Sequence, residues 1–174
     1  MTARTGRRLV RAQRCANASQ REQKNPTRGG LERASRHVRH EVVSLRDSYE
    51  ASLAGSPHGW TAWYVHMRNL AEFSETSERD NIRPEHFGRM NRTWRTQRDD
   101  ARKVYGDHKA YANDLATHLS WDRVEHERAD EDAKEHGRPS AIYAPSLEVT
   151  EALEELYESF VALADERWRK RLAV

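Results

Sequence analysis

Residues 56–74 read SPHGWTAWYVHMRNLAEFS, and this stretch decides the fold class. Ser56 followed by Pro57 marks a helix start, because serine caps well and proline arrives with a helical φ. Behind them, Trp60, Trp63, Met67, Leu70, Ala71 and Ser74 recur at steps of three and four. At 100° per residue they span about 100° of arc, a core-facing stripe. His66 and Phe73 border that stripe on one side, Tyr64 and Arg68 on the other.

The same period extends in both directions. Upstream, Leu31, Ala34, Val38, Val42, Leu45 and Tyr49 form a stripe that closes with Leu53, and Gly55 supplies the stop. Arg33, Arg36, His37, Arg39 and His40 fall on its solvent side. Downstream, residues 75–87 break the pattern, with Asp80-Asn81 and Pro84 as turn formers. A third stripe then runs through Met90, Trp94, Ala101, Tyr105, His108, Ala112, Leu115 and Leu119. Asp99-Asp100 could instead cap a fresh helix there. Residues 120–136 are helix-compatible but nearly all polar, which predicts an extension beyond the core. Residues 137–146 form a linker, and Ser146 caps the last helix. Val149, Leu153, Leu156, Phe160, Leu163 and Ala164 make its stripe, with Trp168 and Leu172 off the edge.

Four amphipathic helices without an alternating β pattern predict an all-α fold, a four-helix up-down bundle over residues 31–174. Residues 1–30 predict a disordered basic leader, closing on Pro26 and Gly29-Gly30. Charge supports that division. Residues 1–40 hold eleven Lys/Arg against two acids, whereas residues 41–174 hold nineteen against twenty-six. Such a leader suits an electrostatic arm on nucleic acid, or equally a solvated tail. Cys15 is the single cysteine, so an intrachain disulfide is excluded and a cysteine-based zinc site has no ligand set. No apolar run approaches the ~18 residues of a membrane helix, and no secretory apolar core is present, so the expected setting is cytoplasmic, away from membranes.

Chemistry is expected where polar residues stand at or beside the apolar stripes: His66, Arg68, His108, His118, Arg123 and Arg167. Burying such groups is costly unless they are paired, so each implies a partner or a cleft. The segment Trp63–Phe73 carries the pattern H-x-R-N-L-x-x-F, and His118–Arg123 carries H-L-x-x-x-R. Together these resemble a group of bacterial all-helical proteins without an assigned activity. The resemblance covers roughly Val38 to Phe160 and nominates His66, Arg68, His118 and Arg123 as site residues.

The layout also resembles HEPN domains, α-bundles that often act as dimeric, metal-independent ribonucleases with an R-x(4–6)-H motif. Three pairs match it: Arg33/His40, Arg79/His86 and Arg102/His108. Only Arg102/His108 lies inside a long helix where that family places it. Its members stand about 120° apart around the helix, so they would act across a dimer seam. The resemblance implies histidine as general acid–base and arginine on the scissile phosphate.

Two further patterns are weighed. His118, Asp122 and His126 follow at i, i+4 and i+8 with Glu125 and Asp130 nearby, a spacing that could chelate an ion. Di-metal bundles require Glu-x-x-His motifs, and none occurs. That run is therefore read as a solvated face, and neither metal nor cofactor is expected. Arg89, Arg92, Arg95 and Arg98, continued by Arg102, wrap half a helical cylinder and suit a phosphate surface or an acidic protein partner. Taken together, the sequence predicts a non-catalytic interaction or accessory module. Self-association and an RNA or acidic protein partner go with it, and a HEPN-like ribonuclease, a toxin or defence effector, is the alternative.

Overall fold

Helix α1 spans Arg28–Leu53, α2 Pro57–Glu75, α3 Arg92–Tyr111, α4 Leu147–Leu163 and α5 Glu166–Leu172, with one 3-10 turn at Pro84–His86. These elements belong to a computed structural model that describes residues 26–76, 81–113 and 144–174. The described residues are predominantly helical and contain no strand, so the fold is all-α. None of their helices is long and apolar enough to cross a membrane.

The first helix starts three residues before the expected Leu31. The Thr27 hydroxyl accepts the Gly30 N–H at 3.1 Å, which satisfies a donor that the first turn leaves orphaned. That cap offsets the conformational cost of Gly29 and Gly30, which lie inside the helix and do not close a leader. Residues 1–25 of the expected leader lie outside the described residues. At the other end, Gly55 has φ 81°, a left-handed conformation that turns the chain back. Ser56 caps α2 as expected, its hydroxyl accepting the Gly59 N–H. A Cβ at Gly59 would stand 2.6 Å from the Ser52 nitrogen, so the backbones of α1 and α2 touch there.

In α2 the apolar face is turned from its expected position. Trp63, Met67, Leu70, Ala71 and Ser74 are buried, but so is Tyr64, which lies against Tyr111 of α3 with ring centroids 5.1 Å apart. Trp60, placed on the stripe by periodicity, is exposed in the first turn. A helix packed by neighbours on two sides buries a wider arc than one stripe, and its terminal turn escapes it.

Helix α3 is capped by Asn91, whose side chain accepts the Trp94 N–H at 2.8 Å. It runs unbroken through Asp99 and Asp100, so no second helix begins there. Gly106 sits in this helix with open space around the position of a side chain. Gly106→Ala should therefore raise stability by about 0.5–1 kcal/mol, through lower unfolded-chain entropy alone. Urea titration of the two proteins reads this directly, and an unchanged midpoint would contradict a helical, uncrowded Gly106.

The last helix is not single. Ala164 leaves the helical region with ψ 148°, and α5 starts afresh behind Asp165. The break has a physical cause in the loop before α3. Gly88 forms an isolated antiparallel bridge with Ala164, and the Asp165 N–H donates to the Phe87 carbonyl at 2.8 Å. A Cβ at Gly88 would come within 2.5 Å of the Leu163 carbonyl oxygen, so only glycine permits this approach. The break redirects Trp168 and Leu172, expected off the edge of the stripe, into full burial. Trp168 meets Phe87 edge-on, with centroids 5.7 Å apart.

Cross-helix contacts set the directions. Glu41 of α1 reaches His66 and Asn69 of α2, while Ala51 and Ser52 lie against Gly59, so α1 and α2 are antiparallel. Tyr64 lies by Tyr111 and Glu75 by Tyr105, so α3 opposes α2. Trp94 donates to the Leu156 carbonyl and His108 lies by Ala144, so α4 opposes α3. The N-terminal ends of α1 and α3, the 3-10 turn, the C-terminal end of α4 and α5 thus share one end of the molecule.

Candidate functional site

The motif on α2 does its work through a residue that periodicity does not single out. His66 and Asn69 stand three apart, hence on one face. Both reach Glu41 of α1. His66 Nδ1 lies 2.7 Å from Glu41 Oε2, and Asn69 Nδ2 donates to the same oxygen at 3.1 Å. Both the histidine and the glutamate are largely covered. Burial alone would raise the Glu41 carboxyl. The bonds from His66 and Asn69 and the positive fields of His66 and His40 outweigh it and hold the group below the usual glutamate range. His40 meets His66 edge-on, with centroids 5.9 Å apart, and its ring also contacts the Ser44 hydroxyl. Arg68 points away from this cluster and pairs with Glu72 one turn on, at 2.9 Å.

A second carboxylate collects donors where α2 ends. Glu75 accepts from the Tyr105 hydroxyl at 2.8 Å and from Lys109 Nζ, and Arg102 approaches at 3.4 Å from solvent. Burial would raise Glu75, but Lys109 and Tyr105 lower it further than burial raises it. Tyr105 itself is pushed well above its ordinary range by burial and by the adjoining carboxylate.

The helical pair Arg102/His108 does not meet. Arg102 is exposed and turned toward Glu75. His108 lies edge-on to Trp63, 5.6 Å between centroids, with Nε2 3.3 Å from the Ala144 carbonyl. Burial lowers its proton affinity, outweighing the Ala144 carbonyl, which raises it. Of the other matches, Arg33 and His40 are exposed on α1, and Arg79 lies outside the described residues. His86 Nδ1 accepts the Arg83 N–H at 3.1 Å, which occupies its lone pair in capping the 3-10 turn. Arg167 is on the surface, paired with Asp165 and lying over the Trp168 ring.

His118 and Arg123 lie outside the described residues, as do Asp122, Glu125, His126 and Asp130. Among the described residues, no three His, Cys, Asp or Glu side chains gather as a metal site. The arginine series divides. Arg98 bonds Asp99 and lies over Trp94, whereas Arg89, Arg92 and Arg95 are exposed and make no ion pair among the described residues.

A concavity lies elsewhere, between α1 and α4. It has a volume of about 570 Å³ and an apolar floor of Val42, Val43, Tyr157 and Val161. Its rim carries Asp47, Glu158 and the ion pair Arg46–Glu154. No family model, curated protein or solved structure matches this chain. Glu41, Glu75, Tyr105 and Lys109 are the polar residues that sequence reading missed. Their partners are 25 to 34 residues away, so only the register between helices reveals them.

The two clusters share a chemistry. Each is an ionised carboxylate held by hydrogen-bond donors from the neighbouring helix. Saturated networks of this kind fix which residues of two helices face each other.

Proposed function

We propose that this protein is a non-catalytic interaction module, cytoplasmic and self-associating, built on a four-helix up-down bundle. The observation that carries this reading is the divergence of the nominated side chains. His66 serves Glu41, Arg68 serves Glu72, Arg102 serves Glu75, and His108 packs on Trp63. Each of the four thus has a different partner. The alternating helix directions and the broad acid-rimmed groove between α1 and α4 support the same reading, since a groove on a rigid frame serves binding without chemistry.

The HEPN-like ribonuclease is the competing reading, and its support is the Arg102/His108 spacing on α3. Incubation of the full chain with single-stranded and structured RNA, with and without divalent ions, separates the two. The expected result is intact RNA, with wild type and His108→Ala indistinguishable. Cleavage by wild type that is abolished in His108→Ala or His118→Ala would overturn the interaction reading.

A further inference from the structure

Three basic runs that are far apart in the sequence meet at one end of the fold. They are residues 28–39, 83–98 and 165–171, with thirteen Lys/Arg against four acids between them. Three contacts bring them together. Arg171 of α5 reaches Glu32 of α1 at 3.5 Å, Gly88 bridges Ala164, and Trp168 packs on Phe87. Helix α5 therefore lies across the end of the molecule, between the first turns of α1 and the loop that enters α3.

Several of these cations have no structural reason to be there. Arg33, Arg89, Arg92 and Lys170 are exposed, and none makes an ion pair among the described residues. Arg92 is the first residue of α3, and Arg89 stands just before it; no acid occupies that first turn. A cation at a helix N-terminus opposes the helix dipole and costs stability. The surface retains such charges at a loss, which is expected where they serve a ligand.

The kind of ligand follows from what is missing. Protein interfaces draw their affinity from a few buried aromatic or aliphatic anchors. Of the exposed large apolar side chains among the described residues, Leu53, Trp60 and Leu147 stand at the opposite end, Val65 lies midway along α2, and Val174 belongs to the α1–α4 groove. Phosphodiester backbones need no such anchor, because displaced counterions drive the association. Arginine, which dominates this end, also matches phosphate geometry through paired donors. We propose that this end of the molecule, formed jointly by α5, the loop before α3 and the start of α1, is a binding surface for the phosphate backbone of nucleic acid. It deepens the interaction-module reading and rests on it in requiring no chemistry at the site.

The test uses the full chain and two probes, a labelled single-stranded RNA of about 20 nucleotides and a DNA duplex of similar length, near a single phosphate-contact regime. Wild type should bind at least one of them, with affinity falling steeply as salt rises. Arg89→Ala/Arg92→Ala/Lys170→Ala should weaken binding about tenfold or more near 100 mM salt and flatten the salt slope by about two. Adding Glu151→Gln and Glu155→Lys on α4 restores the three lost charges elsewhere and should not restore affinity. Full recovery would overturn the surface in favour of net charge. Wild-type affinity in the triple variant would overturn it in favour of the N-terminal residues, and binding of an acidic polypeptide in preference to both probes would overturn the ligand class. Binding followed by cleavage would sink the non-catalytic reading and leave the surface standing.

Discussion

Trp168→Ala should lower stability by about 3–5 kcal/mol, the range for truncating a buried tryptophan. The residue is only 2% exposed and forms the contact between α5 and the loop entering α3. Without it, a helix of seven residues, too short to persist unaided, keeps only Leu172 as a buried apolar anchor. A control separates packing from polarity. The Trp168 Nε1 donor is buried without a hydrogen-bond partner, so Trp168→Phe removes an unsatisfied group while keeping a ring against Phe87. That variant should lose far less, on the order of 1 kcal/mol. Urea midpoints at a constant slope measure both. Equal melting of Trp168→Ala and wild type would mean that α5 does not dock on the core.

Glu75→Ala should be the most damaging polar substitution, at about 2–4 kcal/mol, because it strands the largely covered Lys109 ammonium and the Tyr105 hydroxyl together. Removing both charges in Glu75→Gln/Lys109→Met should cost much less than the single change, since an uncompensated charge is worse than none. The same carboxylate sets an acid limit. Its folded-state proton affinity is lowered, as is that of Glu41. A group lowered on folding stabilises the protein above its ordinary range, and that contribution disappears as pH falls through the depressed folded value. Stability should therefore decline below the ordinary glutamate range, and less steeply in Glu75→Gln/Lys109→Met. Identical acid profiles for the two proteins would show that Glu75 carries no such linkage.

Much of the helical content was legible because it is written in nearest-neighbour chemistry. Ser56, Ser146 and Gly55 mark element boundaries through local capping geometry, and the stripes on α1 and α4 are simple 3.6-residue periods. What escaped reading depends on contacts between distant segments. The break at Ala164 arises from a backbone bridge to Gly88, 76 residues away, which no local rule encodes. Trp60 and Tyr64 exchanged roles because burial on α2 follows two neighbouring helices and not one stripe. The site was less legible than the fold. The pattern around His66 is visible in the sequence, but its partner Glu41 lies on another helix. Arg68, sharing the same pattern, turned out to serve its own helix. The arginines near residue 90 were visible as a run, whereas their neighbourhood with Lys170 and Arg33 required the path of α5.

Helix α4 bears five glutamates and no basic residue, while α5 lies across an end dominated by guanidinium groups. Charge so divided among the described residues exerts a torque on an approaching charged body before contact is made.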